Sequence, residues 1–235
     1  MNTLLQQPGY LLVIDTNVNR LQQRLVKRMG QAYQRFRLSW NSLLRDPYLR
    51  DGGSYRYRRY SVFHWQHNKL TVLPHEPHYQ STHYNQVHGG FNRHFRPWLS
   101  TTLQNPVLTE IIRWTMELFN KSPGQLWRIQ AHQFRIVARP QELGKPTPEG
   151  VHKDGAEFIL IMMMDRHNIK GGVSQIYDNQ MQPLGEGTLE KAGDLVLVND
   201  HLVYHGVTEV QPVDPTQPAW RDVLVLTFHK PFHKQ

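Results

Sequence analysis

Apolar residues follow two different rhythms along the chain. Val18, Leu21, Leu25, Met29, Tyr33 and Phe36 recur at steps of three and four, which places them on one stripe of a helix. Asp15 or Thr16 offers the N-cap, so a helix is predicted over about 15–40, preceded by a short strand at the apolar run 10–14. A second helix is predicted over about 105–120. Asn105 supplies a cap, Pro106 fits the first turn, where its missing N–H leaves nothing unsatisfied, and Leu108, Ile111, Ile112, Thr115 and Phe119 share one face. From Trp127 onward the rhythm changes to short apolar runs, WRIQAHQFRIV, EFILIMMMD, SQIYD, DLVLVND and DVLVLTFHK, separated by Gly- and Pro-rich turns. The run Met162-Met163-Met164 reads as buried strand packing. GGVSQ reads as a turn into a strand, not a phosphate loop, because no helix start with Lys-Ser/Thr follows.

Between the helices, residues 45–105 are rich in Pro, Gly, His, Tyr and Arg with little periodicity. They read as a long irregular or short-stranded stretch, the kind of segment that carries binding residues. Helices first and strands later predict an α+β chain with an antiparallel barrel or sandwich as its core. With no repeat, low-complexity tract or linker, 235 residues read as one domain.

Composition narrows the chemistry. The absence of cysteine excludes disulfides, thiolate metal sites and cysteine nucleophiles. No stretch of 18 apolar residues predicts a membrane span, and the N-terminal residues lack the basic and apolar regions of a secretory signal, so a cytoplasmic location is expected. The net charge is +8, with the basic excess concentrated in residues 20–59. That segment has no run of five like charges and no regular aromatic spacing. It reads as a solvated helix face plus arginines that handle a small anion, and a nucleic-acid partner is not expected.

The candidate metal site is His152-x-Asp154, placed after the turn PTPEG and before an apolar strand, with His205 behind a later strand. In extended chain, residues i and i+2 point to one side, so imidazole and carboxylate can converge on an ion. Two imidazoles and one carboxylate leave a coordination face open for a chelating cosubstrate and O2, which suits Fe(II). In a chain with 14 histidines, chance supplies a His-x-Asp pair about as often as not. The weight therefore falls on context, including Arg221 at the start of the last strand, whose guanidinium can grip a carboxylate of 2-oxoglutarate with two bonds. His64, His67, His75, His78, His83, His88 and His94 lack ligand-like spacing and read as surface or hydrogen-bonded residues.

Several segments carry a resemblance: SYRYRRYSVF at 54–63, HYQSTHYNQVHGGFNRHF at 78–95, AHQFRI at 131–136, PEGVHKDGAEF at 148–158, GGVSQIYD at 171–178, and GDLVLVNDHLVYHGVTEV followed by WRDVLVLTF. In these the chain resembles the 2OG-Fe dioxygenase family that contains bacterial free amino-acid hydroxylases of the L-isoleucine type. The resemblance implies a double-stranded β-helix (jelly-roll) core largely over 127–230, with flanking N-terminal helices. It also implies Fe(II), 2-oxoglutarate as cosubstrate, and O2. His152, Asp154 and His205 match the ligand positions and Arg221 matches the 2-oxoglutarate anchor. The implied reaction decarboxylates 2-oxoglutarate to succinate and hydroxylates an unactivated C–H bond of a free amino acid or a small metabolite derived from one.

Strand alternation adds further candidates. Thr227 shares a face with Arg221 and is read as a cosubstrate contact. Gln133 and Arg135 share the other face of their strand from Phe134 and Ile136. They are read either as lining the cosubstrate pocket or, for Arg135, as pairing with a carboxylate. Arg56, Arg58, Gln80, Asn85 and Arg93 lie in the shared segments and are candidates for substrate. Two rival functions stand beside this one: an oxygenase acting on nucleic acid or a protein side chain, and a jelly-roll module that holds metal without turnover.

Overall fold

The structure, a computed structural model, describes residues 7–14, 20–84, 87, 89–119 and 124–230. The proposed cap residues Asp15 and Thr16, with Val18, lie outside the described residues, as do Asn85 and His88.

Two helices form where the apolar stripe predicts them. Helix α1 (Arg20–Leu38) buries Leu21, Leu25, Tyr33 and Phe36, and the 14-residue helix α3 (Pro106–Phe119) buries Leu108, Ile111, Ile112 and Phe119. A short α2 (Ser100–Leu103) precedes α3. Asn105 caps α3 through its Oδ1, which accepts the Val107 N–H at 3.0 Å, while its Nδ2 donates to Ala32 O in α1 at 2.9 Å. One side chain thus starts a helix and ties it to its neighbour.

The strands, in chain order, are β1 (Tyr10–Val13), β2 (Leu44–Arg45), β3 (Arg56–Gln66), β4 (Lys69–Val72), β5 (Trp127–Ala138), β6 (Phe158–His167), β7 (Ile169–Gly171), β8 (Val173–Asp178), β9 (Pro183–Thr188), β10 (Leu195–Asn199), β11 (Val203–Val207), β12 (Val210–Pro212) and β13 (Ala219–His229). A large antiparallel sheet runs β1-β10-β6-β13-β5-β3-β2, with β4 hairpinned onto β3. A second sheet runs β11-β8-β9, and β12 pairs with β7. Both faces of the large sheet are buried. Leu160, Met162, Leu195, Leu197, Leu224 and Leu226 meet the helices, whereas Ile159, Ile161, Val196 and Val198 meet Ile176 and Val203 of the smaller sheet. Double-sided burial explains why these strands read as continuous apolar runs rather than alternating ones.

The stretch 45–105 corrects the sequence expectation. It contains β3, an 11-residue strand of the large sheet, paired with β5 along nearly its whole length and flanked on its other side by the short β2 and β4. A two-residue turn, His67-Asn68, joins it to β4, and both turn residues have positive φ (50° and 59°), the backbone that matches strand twist in a tight hairpin. Burial of its arginines hides β3 from a binary hydrophobic reading. Among the described residues no helix is long and apolar enough to cross a membrane.

Candidate metal centre and cavity

His152 and His205 are held opposite each other by the backbone. Each donates its N–H to the carbonyl of the other, at 2.9 and 3.0 Å, and their rings lie 4.7 Å apart. Asp154 presents its carboxylate to both, with Oδ1 3.7 Å from His152 Nε2 and Oδ2 3.5 Å from His205 Nε2. The three donor atoms lie within 4.8 Å of one another. His152 Nδ1 meets Gly150 O at 3.0 Å, which fixes the tautomer and aims Nε2 at the centre, the usual outer partner of a metal-binding histidine.

Charge supports the fit to a cation. Burial opposes a proton on His152, yet Asp154 and Glu149 together raise its pKa to about 10. Burial and the neighbouring His152 lower His205 to about 4. Burial favours neutral Asp154, but His152 and His205 hold it ionised, well below the usual carboxylate range. The three groups together therefore hold one proton, on His152, where a metal ion would otherwise balance the carboxylate.

Asp200, which sequence reasoning missed, shapes this loop. Its carboxylate accepts the backbone N–H groups of Asp154, Gly155 and Ala156, with bonds of 2.7 and 2.9 Å from the latter two. Burial and the charge of Asp154 raise its pKa to about 6, against the pull of those N–H groups. Only its place at a strand end followed by a turn hints at it in the sequence.

The triad opens on a cavity of about 430 Å3, walled by the side of β13 carrying Arg221, Val223, Val225 and Thr227 and by Gln130, His132, Phe134 and Ile136 of β5. Arg221 is 2% exposed, and its Nε and Nη2 have no partner among the described residues. Those two donors form one edge of the guanidinium, the shape a carboxylate fills with paired bonds. Burial and the nearby Arg166 lower its pKa to about 10, so it stays charged at neutral pH.

Gln133 lies on the side of the sheet away from the cavity, and Arg135 takes the other role offered for it, pairing with a carboxylate. Gln133 donates to Ser39 Oγ at 2.7 Å, and Arg135 makes paired bonds of 2.7 and 2.6 Å to Asp222, all away from the cavity. Alternation puts Gln133 and Arg135 on one face, and the inward face is the opposite one, bearing His132 and Phe134. Thr227 does line the cavity. It sits six residues beyond Arg221 on one strand, roughly 20 Å away in extended chain, too far for one five-carbon diacid to touch both.

Arg56, Arg58 and Arg93 are buried on the cavity wall, and Arg56 and Arg58 share a single buried carboxylate, Asp46, which lies 2.8 Å from Arg56 Nε and 3.6 Å from Arg58 Nη1. Arg56 Nη2, Arg58 Nε and Arg93 Nε have no partner among the described residues. Gln80 links this group to the triad, donating to Asp154 Oδ1 at 3.0 Å and accepting from Arg93 Nη2 at 2.7 Å. His78, read from sequence as a surface or hydrogen-bonded residue, is buried against Arg93 at 2.8 Å. His132 meets Arg58 Nη2 at 2.6 Å. Burial together with these arginines pushes both imidazoles well below the ordinary histidine pKa.

Comparison with known proteins gives consistent relatives. The chain is 28% identical over 156 residues to an L-isoleucine-4-hydroxylase of Bacillus thuringiensis, a match covering 64% of each chain, so it spans somewhat less than two thirds of that relative's length. It is 26% identical over 197 residues to a 3(1)-hydroxy-L-isoleucine 4-dioxygenase of Pantoea ananatis, covering 81% of this chain and 78% of the relative. The fold matches the crystal structure of a bsmA homolog from Methylobium petroleophilum, with a TM-score of 0.82, 33% identity, and coverage of 96% of this chain and 90% of that one. It also matches the structure of IDO from Bacillus thuringiensis, with a TM-score of 0.77, 19% identity, and coverage of 97% and 93%. The family profile described as 2OG-Fe dioxygenase spans residues 37–227, most of the sequence, and the chain belongs to that family.

Proposed function

We propose that this protein is an Fe(II)- and 2-oxoglutarate-dependent dioxygenase that hydroxylates an unactivated C–H bond of a free L-amino acid or a small amino-acid-derived metabolite. The observation that carries the reading is the unpaired, buried edge of Arg221 in the same cavity as His152, Asp154 and His205. A module that only held metal would have no use for that edge. The order β10-β6-β13-β5 in the large sheet, facing β9-β8-β11 with the chain at His152 added beside β11, supports the double-stranded β-helix reading.

In this reading His152, Asp154 and His205 hold iron, and Arg221 binds the distal carboxylate of 2-oxoglutarate. Once bound, the metal and cosubstrate supply the oxidising power, with O2 as oxidant and succinate and CO2 as by-products. The protein's own share is to position and to exclude water. Gln80 orients the Asp154 carboxylate, and Phe134, Ile161, Val223 and Val225 provide an apolar wall for the carbon to be attacked. Arg56, Arg58 and Arg93 give the cavity a positive excess suited to the carboxylate of an amino acid. A volume of about 430 Å3 suits a small molecule rather than a polymer, which favours this reading over a nucleic-acid or protein substrate. The relatives named for isoleucine chemistry support the same substrate class.

The test is succinate formation from 2-oxoglutarate across the proteinogenic amino acids, dependent on Fe(II) and O2. Anaerobic Fe(II) and 2-oxoglutarate should also give the weak visible band of a chelated ferrous site, lost in Asp154→Ala. Failure of the wild type to bind either ligand would end the enzyme reading.

A further inference from the structure

Glu149 is a cavity carboxylate whose chemistry the proposed reaction does not use. It follows Thr147 and Pro148 in the turn before His152. Its side chain is 13% exposed, and its Oε1 lies 3.6 Å from His152 Nε2. Its Oε2 is buried with no hydrogen-bond partner among the described residues. A buried carboxylate oxygen without a donor is costly, and the usual remedy is an arginine.

Two arginines of the same cavity, beside their bonds to Asp46, Gln80 and His78, each keep a donor in reserve. Arg56 Nη2 and Arg93 Nε line the same cavity, also without partners, and the charge of Glu149 is felt at Arg93. Yet no ion pair joins Glu149 to either of them among the described residues. Opposite charges that share a cavity without closing on each other mark a site for a ligand carrying both signs. An α-amino acid is such a ligand, with a carboxylate and an ammonium on one carbon.

We infer that Glu149 receives the substrate's α-ammonium while Arg56 and Arg93 receive its α-carboxylate, so that the site selects free α-amino acids over N-acylated or 2-hydroxy analogues. This rests on the amino-acid reading above and adds a residue that determines specificity. An acceptor and two donors that lack partners among the described residues of one cavity reward the zwitterion twice and leave Glu149 unsatisfied when the ammonium is missing.

The test uses the full chain with Fe(II) and 2-oxoglutarate under anaerobic conditions, following the visible band as each of the twenty proteinogenic amino acids is added. For the tightest binder, its 2-hydroxy and N-acetyl counterparts are titrated into wild type, Glu149→Gln and Glu149→Asp. Each protein's band with 2-oxoglutarate alone serves as its own baseline, since Glu149 lies 3.6 Å from His152 Nε2. Glu149→Gln should weaken the amino acid about tenfold or more, leave the already weak 2-hydroxy acid unchanged, and be partly rescued in Glu149→Asp. Unchanged amino-acid affinity in Glu149→Gln, equal loss for both ligands, loss of the band itself, or tight binding of the N-acetyl compound to wild type would each overturn the inference while the amino-acid reading stood. If no amino acid alters the wild-type band although 2-oxoglutarate produces it, the amino-acid reading falls and takes this inference with it.

Discussion

The carboxylate of Asp200 accepts the backbone N–H of Asp154 at 3.1 Å, so the carboxylate-bearing member of the triad is fixed by a second carboxylate lying behind it. With the Gly155 and Ala156 N–H groups also bound, Asp200 holds three successive donors of the loop that aims Asp154 inward. Asp200→Ala should release that loop and cost about 10- to 100-fold in Fe(II) affinity, the usual loss when an outer partner of a metal ligand is removed. Anaerobic titration with Fe(II) measures it. An affinity equal to wild type would show that the loop holds its shape without the clamp.

Arg221 should display a conflict between function and stability. It is a buried cation with two donors that have no partner among the described residues, an arrangement that penalises the fold when no anion is present. Arg221→Met removes the penalty while keeping much of the apolar stem. Its ligand-free form should be more stable than wild type, by roughly 1–4 kcal/mol. 2-Oxoglutarate binding should be abolished. Arg221→Lys keeps the charge but not the two-donor edge, and cosubstrate affinity should fall by about tenfold or more. Denaturant unfolding with and without 2-oxoglutarate checks both effects. A wild type that gains no stability from 2-oxoglutarate in the presence of metal would remove Arg221 from the role.

The legible parts of this chain were those in which local pattern and burial agree. Helices α1 and α3 have one buried stripe each, and β6 and β10 are buried on both faces, so spacing and run length mark them. Strand β3 breaks that agreement, because Arg56 and Arg58 alternate with Tyr57 and Arg59 and are buried in a polar cavity. The same conflict misdirects the reading of β5. Ile129 and Ala131 face the helices, but further along the strand Phe134 and Ile136 face the cavity, so the apolar set changes sides within one strand. Alternation separates two faces, and only the neighbours decide which is inside. Ser39 and Asp222 wait for Gln133 and Arg135 on the helix side, and nothing local to β5 announces them.

Iron binding should release one proton. In the metal-free site His152 is protonated up to about pH 10, whereas His205, with a pKa of about 4, and ionised Asp154 carry none. Fe(II) must displace the His152 proton to reach Nε2, so its affinity rises with pH, by about tenfold per unit below pH 10. Calorimetry at pH 7 in buffers of differing ionisation enthalpy counts the protons. A count near zero would mean that His152 is neutral before metal arrives, or is not a ligand.

His132 should make the fold acid-sensitive from the ordinary histidine pKa downward. Arg58 Nη2 lies 2.6 Å from its Nδ1, and since the guanidinium must donate, the imidazole has to accept and therefore be neutral there. Burial and Arg58 depress its folded pKa well below 6.5. The unfolded chain then binds the proton first. The stability from neutral His132 is complete above about pH 6.5 and is lost as pH falls toward the folded pKa, by roughly 1.4 kcal/mol per unit. Asp200 and Asp222, both raised to about 6, protonate in the folded state before the unfolded one and work in the opposite direction below that pH. The wild-type slope therefore mixes signs, and the difference from a variant isolates the residue. His132→Gln keeps an acceptor for Arg58 but cannot titrate. Between pH 7 and 5 its unfolding free energy should fall less steeply than that of wild type, by close to one proton's worth of slope. Parallel profiles would place the titrating group elsewhere.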